Sequence, residues 1–308
     1  MRIGRLLAIG GALAGTLAGC DLFRDEPSIP VDAMPGRDGP RPPRTDLVPA
    51  LGGPTTLDLA AWNIENFPKS TRSAALAADL ITSLDLDLIV VEEIASVTAW
   101  DELLALLPEH DGVLSTHRYT ATSYQKIGLI YRAATVTVGT PELLFISDSY
   151  GFPRPPFKVH VTAEGYDLDL IGVHLKAGSS PDDGDRRAQA AAELDVYLTA
   201  QVAGGGEDEV IVLGDYNEVV STAEGRARLA PLLAPERYRL RTQDAADAGE
   251  RSFLPTAGRV IDHVLTTVGL DAELGAVAAV IPRLDQAVAR YDADLTDHLP
   301  AVLIMPRR

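Results

Sequence analysis

Cysteine is almost missing from this 308-residue chain: its one copy, Cys20, stands close to the start. Everything after it must fold without a disulfide and depend on its apolar core. Aromatic residues are few, at 6%, and Phe145, Tyr150, Phe152 and Phe157 are the nearest approach to an aromatic surface that could enter a membrane. Positive charge is in deficit as well, with 27 Lys and Arg against 44 Asp and Glu and a net charge of −17. That balance excludes sequence-blind adhesion to nucleic acid through a broad basic surface. It leaves room for a hydrolase that gathers carboxylates around a divalent ion. No apolar run approaches the roughly 20 residues that a membrane-spanning helix requires.

What is present begins with Arg2 and Arg5, then a short apolar run from Leu6 to Ala18 and the small residues before Cys20. This is the pattern of a secretory leader, and Leu17-Ala18-Gly19-Cys20 resembles the lipobox of bacterial lipoproteins. The resemblance implies cleavage after residue 19, lipidation of Cys20, and export to a bacterial membrane facing the periplasm or the cell surface. An ordinary secretory signal with a chance cysteine is the alternative. Residues 20–54, rich in Pro, Gly, Asp and Arg without apolar period, read as a flexible tether. Residues 55–308 then form one domain, expected to be a monomer, with a normal globular apolar content of 46% for the whole chain.

Apolar periodicity predicts strands at 56–63, 87–91, 126–131, 134–138, 157–162, 167–174, 209–213, 260–266 and 300–305. Helices are predicted at 70–83, 100–107 and 186–202, with a short one after Ser221. Alternating strands and helices in one domain imply layered sheets with helices outside. Polar residues with catalytic chemistry recur just beyond the apolar strands, so they share one rim.

Taken singly these residues are ambiguous. Asp215 and Asn217 follow Val210-Ile211-Val212-Leu213-Gly214, where Gly, Asp and Asn also suit a plain turn. Adjacent Glu92 and Glu93 end a strand, and alternation lets at most one of them point into a site. His174 could donate to a phosphate oxygen, and Lys176, two places on, could offset phosphate charge. Arg186, Arg187 and Gln189 could guide a phosphate backbone, or form a solvated helix face. Asp297-His298 offers a metal ligand and a base. Asp262-His263 interrupts a buried strand, where a carboxylate needs a partner such as a histidine of the site. Asn63 and Glu65 follow the first strand.

The ordered set is more specific. Trp62-Asn63-Ile64-Glu65-Asn66, Val91-Glu92-Glu93, Val173-His174-Leu175-Lys176, Leu213-Gly214-Asp215-Tyr216-Asn217, Ile261-Asp262-His263-Val264 and Thr296-Asp297-His298-Leu299-Pro300 resemble the endonuclease/exonuclease/phosphatase superfamily, over residues 56–305. The resemblance implies an α/β (α+β) four-layer sandwich: two mixed β-sheets packed face to face, with helices on the outer faces. It implies Glu93 as principal metal ligand, with Asn63, Glu65 and Asp297 near a divalent ion, Mg²⁺ or alternatively Mn²⁺ or Ca²⁺. Asp215 and Asn217 would orient water or the scissile phosphate, His298 would act as general base oriented by Asp262, and His174 would donate to the phosphate oxygen.

The chain departs from the common pattern at Glu92, where many members have Gln, at Thr296, where many have Ser, and at His263, where an aromatic or apolar residue is usual. The expected activity is that of an exported metal-dependent nuclease attacking nucleic-acid phosphodiester bonds with water. A sphingomyelinase-like phospholipid phosphodiesterase, a phosphatase, or a surface lipoprotein that binds without turnover are the alternatives.

Overall fold

The computed structural model describes residues 42–255 and 259–308; the leader, Cys20 and the first part of the expected tether lie outside them. Strand β1 (Thr56–Phe67) pairs with β12 (Ala301–Pro306) and with β2 (Leu88–Ile94). Strand β2 pairs in turn with β4 (Lys126–Arg132), and β4 with β3 (His110–Leu114). The second sheet runs β10 (Tyr238–Leu240), β11 (Asp262–Thr267), β9 (Val210–Asp215), β8 (Tyr166–His174), β7 (Phe157–Ala163) and β5 (Val136–Val138), with β6 (Glu142–Leu143) also on β7. Each sheet is mixed: β1/β2 and β8/β9 are parallel and the other pairs antiparallel.

Side-chain alternation explains why the strands are apolar on both faces. Leu57, Leu59 and Ala61 of β1 and Leu88 and Val90 of β2 share a core with Leu168, Leu170, Ile211, Leu213 and Val264 of the other sheet. The opposite parity, Ala60, Trp62, Ile89 and Val91, packs with Leu80 and Leu84 of α1 (Ser73–Leu84) and Trp100 of α2 (Val97–Ala105). Ile171, Val173, Val210 and Val212 face Ala190, Leu194 and Leu198 of α3 (Pro181–Ala203). The two sheets approach closely at Gly172, where a Cβ would come within 2.8 Å of Val90 Cγ1.

The expected elements are present with shifted ends, and local chemistry accounts for the shifts. Helix α3 begins at Pro181 rather than 186 because Ser180 and Asp183 form a capping box around it. Helix α2 begins at Val97 because the Ser96 side chain accepts from Ala99 N. Strands β1 and β2 continue past their expected ends as bulges, with register shifts between Asn63 and Phe67 and between Val91 and Ile94. Strands β3, β6 and β10 lie outside the expected strands; each is short and only partly buried.

One correction concerns the tether. From Arg44 onward it is docked on α1, not free: Arg44 N donates to Asp79 Oδ1 at 2.8 Å and Leu47 N to Ser83 Oγ at 3.0 Å. Leu51 N and Gly52 N both donate to Leu84 O, a carbonyl at the helix C-terminus. Val48 is buried. The folded domain therefore begins before residue 55.

At the N-terminal end of β1, Asp58 is fully buried; Oδ2 accepts from Gly53 N and Thr56 Oγ1, while Oδ1 has no partner. Burial, with Asp87 and Asp85 nearby, pushes its pKa up to about 6 from 3.8. The folded state thus holds this proton more tightly than the unfolded chain does. The associated stability is fully present below about pH 3.8 and lost as the pH rises through about 6. Asp58→Asn is expected to stabilise the protein by about 1–3 kcal/mol at pH 8, with little effect at pH 4. Thermal unfolding at the two pH values checks this, and equal shifts at both would contradict it.

Candidate active site

The polar cluster is the continuation, at one end, of the apolar face between the sheets. Asn63 has the parity of Leu57, Leu59 and Ala61; His174 that of Leu168 and Leu170; Asp215 that of Ile211 and Leu213; Asp262 that of Val264. Register sets three of them side by side, because His174 pairs with Asp215 and Asp215 with Asp262. Across the gap, Asn63 Nδ2 donates to Asp215 Oδ2 and to Glu93 Oε1, both at 3.2 Å.

Glu93 reaches this cluster only through its bulge. Regular alternation would place it with Val91 on the helix side, but a φ of 63° turns it toward Asn63. Its Oε2 accepts from Asn66 N at 2.9 Å and Gln125 Nε2 at 3.1 Å. A bulge that re-aims a side chain next to a site is a recurrent use of this irregularity. Its neighbour Glu92 is wholly buried, both oxygens lack partners, and Oε1 lies 2.7 Å from where a Cβ on Gly214 would stand. Burial drives the Glu92 pKa well above the usual range, followed by Asp262 and Asp215.

His298 precedes β12, with Nδ1 2.9 Å from Asp262 Oδ2, and Asp262 has no exposed surface. Nδ1–H therefore donates to Asp262, which leaves Nε2 to accept once the ring has lost its second proton; it lies 3.7 Å from Asp297 Oδ1 and 3.9 Å from Asp215 Oδ2. Burial by itself would lower the imidazole pKa, but Asp262, Asp215 and Asp297 outweigh it and hold it well above the ordinary value. Tyr291 OH donates to His298 O at 2.6 Å and accepts from Trp62 Nε1, so the histidine backbone is pinned from below. His174 is the opposite case. Burial, then Arg154 and His298, drive its pKa well down. Its Nδ1 has no partner and its Nε2 faces Glu93 Oε1 and Asp215 Oδ2 at 3.6 Å each. Nε2, which faces two carboxylate oxygens, is the ring nitrogen placed to carry the hydrogen.

Glu65 Oε2 accepts from Asp297 N at 3.0 Å and pairs with Lys69. Asn217, at φ 50°, donates from Nδ2 to Leu175 O, while its backbone N–H donates to Asp215 Oδ1 at 2.8 Å. The Asp215 pKa is raised by burial and by Asp262, and that of Asp297 by burial and by Glu65, each against the pull of His298. This negative charge in a confined space is what a divalent cation relieves. The donor set of carboxylates and an amide suits a hard ion such as Mg²⁺, Mn²⁺ or Ca²⁺. Of the residues expected to hold it, Asn63 touches Glu93 and Glu65 accepts from Asp297 N, while the carboxylate and imidazole ligand atoms that lie within 4.8 Å of one another are those of Asp215, Asp262 and His298.

Three expected substrate contacts have other occupations. Lys176 pairs with Asp183 at 2.9 Å and donates to Ala177 O. Arg187 is buried in an ion pair with Glu218 at 2.8 Å, its Nη1 donating to Lys176 O and Gly178 O. Arg186 donates to the backbone of Ser149 and Tyr150. Lys176 and Arg187 tie the loop after β8 to the start of α3, and Arg186 ties α3 to the segment at 149–150. Arg187→Ala is accordingly expected to cost about 3–5 kcal/mol by leaving Glu218 without its closest partner. Turnover measured well below the unfolding temperature should change little. Loss of activity without loss of stability would restore the substrate-contact reading.

A cation that does face the site is Arg154, 7% exposed, which donates from Nη2 to Gln125 Oε1 at 2.6 Å, Gln125 being held also by Asn66 and Glu93. The sequence reading passed over Gln125 and Arg154 because both lie in loops without period. The one available signal was a charged residue enclosed by Pro153 and Pro155 in an otherwise apolar stretch. Of the aromatics considered for membrane entry, Phe152 and Phe157 are buried, Phe145 stacks on Phe152, and Tyr150 is held by Asp182 and Arg186.

The sequence matches the model of the Endonuclease/Exonuclease/phosphatase family over residues 60–298. No curated protein matches it. Solved structures share the fold. TDP2 from D. rerio, complexed with single-strand DNA product, is 14% identical, with a TM-score of 0.59 over 81% of this chain and 98% of that one. The 3′ phosphatase NExo from Neisseria, bound to a product DNA hairpin, is 15% identical, with a TM-score of 0.58 over 80% and 98%. A mannosyl-6-phosphatase from Bacteroides thetaiotaomicron is 13% identical, with a TM-score of 0.59 over 81% and 99%.

Proposed function

Because the chain belongs to the endonuclease/exonuclease/phosphatase family, within which phosphoesters are hydrolysed, we propose that it is a divalent-metal-dependent phosphodiesterase whose substrate is nucleic acid. The observation that carries this reading is the pairing of a buried Asp262–His298 dyad with Glu93, Asn63 and Asp215 at the mouth of one gap between the sheets. His298 Nε2 takes the proton of the attacking water, while Asp262 keeps the other nitrogen protonated and the ring fixed. Asp215 and Asn217 orient the nucleophile and the phosphate. His174 donates its Nε2–H to a phosphate oxygen as negative charge develops there, and Arg154 offsets the charge of the diester. Glu93, with Asn63, Glu65 and Asp297, would hold a divalent ion, and the ion would supply Lewis-acid stabilisation of the phosphoryl oxygens.

Nucleic acid is favoured over phospholipid because, of the four aromatics considered for membrane entry, Phe152 and Phe157 are buried, Phe145 stacks on Phe152, and the exposed Tyr150 is hydrogen-bonded to Asp182. No helix among the described residues is long and apolar enough to cross a membrane. Attachment to a bacterial membrane through a lipid on Cys20, facing the periplasm or the cell surface, is part of the same proposal and rests on the leader sequence. The test is turnover of plasmid DNA, RNA, sphingomyelin, bis-p-nitrophenyl phosphate and p-nitrophenyl phosphate, with Mg²⁺ and with chelator. Metal-dependent cleavage of DNA or RNA with little on the monoester is expected. Preference for the monoester would make it a phosphatase, and no turnover of any substrate a binding protein.

A further inference from the structure

Two segments enclose a cleft of about 300 Å³: 251–254, which precedes β11, and 285–292, which precedes β12. Both are fastened to Asp297-His298. Leu254 N donates to Asp297 O at 2.8 Å, and Phe253 forms a β-bridge with His298, its ring centroid 5.0 Å from that of the imidazole. From the other wall, Tyr291 OH donates to His298 O. The cleft is lined by Arg251, Leu254, Asp285, Arg290, Tyr291 and Asp292.

The carboxylate inside this cleft is already served. Asp285 accepts from Arg283 Nε at 2.8 Å and from Nη2 at 2.6 Å, which holds its pKa below the ordinary value. Arg290 and Arg72 both pair with the buried Asp294. Arg290 stands at φ 60°, a strained conformation for an arginine and of the kind that collects at ligand sites. Arg251 is the group left over. Its side chain is 32% exposed, and among the described residues its guanidinium has one ion pair, to Asp285 at 3.7 Å, and no hydrogen bond. Its five N–H donors, set in a rigid fork, therefore line the cleft without an acceptor. Phosphate is an acceptor that such a fork engages at two oxygens at once.

Resting on the nucleic-acid reading of the neighbouring site, we propose that this cleft is a second phosphate subsite, in which Arg251 binds the backbone phosphate next to the scissile one and the intervening sugar lies against Leu254. Asp292, at the exposed rim, repels a phosphate placed there and confines it to the Arg251 side. Sheet order sets this subsite opposite Arg154. Arg154 precedes β7 and holds Gln125, the residue before β4, whereas the cleft lies ahead of β11 and β12. Strands β1, β2, β8 and β9 lie between these two pairs. Cations on both sides of the scissile phosphate suit a strand that runs through the site, so cleavage at internal bonds is expected.

Substrates with one and with two phosphates test this: a dinucleoside monophosphate against a trinucleoside diphosphate, with Mg²⁺ and the full chain. Wild type is expected to show a KM about 10-fold lower for the longer substrate, the scale of a hydrogen bond to a charged group. In Arg251→Ala that step should vanish. On longer single-stranded oligonucleotides the slope of log KM against log salt should flatten by about 0.7, the share of one phosphate contact. Arg251→Lys should recover part of both. Asp292→Asn, a change at the exposed rim that leaves Arg251 in place, should lower KM for the longer substrate. Cleavage of both substrates by wild type with no KM step, or a step that Arg251→Ala retains, would overturn the subsite and leave the nucleic-acid reading standing. Wild type that cleaves bis-p-nitrophenyl phosphate but neither nucleotide substrate would overturn both.

Discussion

Replacing His298 with Ala is expected to lower kcat by about 10²–10⁴-fold, the usual contribution of a positioned general base, with the fold retained. The side chain is held by Asp262 at 2.9 Å and its backbone by Tyr291 and Thr296, so Ala removes the base while the backbone anchors stay. Asp262→Asn should fall in a similar range, because an amide in that place can donate to Nδ1 and leave the hydrogen on the nitrogen that has to accept. The two variants differ in their pH dependence. In wild type the carboxylates hold the His298 pKa up, so kcat/KM should rise with pH as the ring loses its proton. In Asp262→Asn the largest raising influence is gone and the acid limb should move to lower pH. Rates of wild type and both variants across pH 5–9 decide this, and wild-type turnover by His298→Ala would end the assignment of the base.

Glu93→Gln is the second large effect. The side chain accepts from Asn63, Asn66 and Gln125, and Gln keeps its volume and one acceptor oxygen while removing the charge that a divalent ion requires. Loss of several kcal/mol of charge stabilisation corresponds to about 10³-fold in rate, together with a higher Mg²⁺ concentration for half-maximal activity. Without metal the variant should be at least as stable as wild type, since it relieves repulsion with Asp215 and Glu92. Activity and unfolding temperature as functions of Mg²⁺ test both halves. An unchanged metal dependence would move the ligand role elsewhere in the cluster.

Much of this molecule was legible in order and type. Apolar runs such as Leu88-Ile89-Val90-Val91 and Val210-Ile211-Val212-Leu213 announced strands buried on both faces, and the sheets cover them from both sides. The polar residues at their ends were visible because they terminate those runs, and His174, Asp215 and Asp262 do lie adjacent in register. The tether was misjudged from Arg44 onward because Pro and Gly content reports local flexibility. It carries no information about carbonyls of a distant helix that the same segment can satisfy.

By itself, the sequence determined which residue types stand at the strand ends and the order of the elements, because periodicity of 2 or 3.6 is a local property of the chain. Only the tertiary structure showed how Glu93 reaches the cluster, since a bulge reverses the face a side chain takes without any change in residue type. It alone showed that Arg187 belongs to Glu218 and that Arg154 and Gln125 close the site. Those choices are made by pairings across tens of residues, where burial of a charge demands a partner that the neighbouring sequence does not contain.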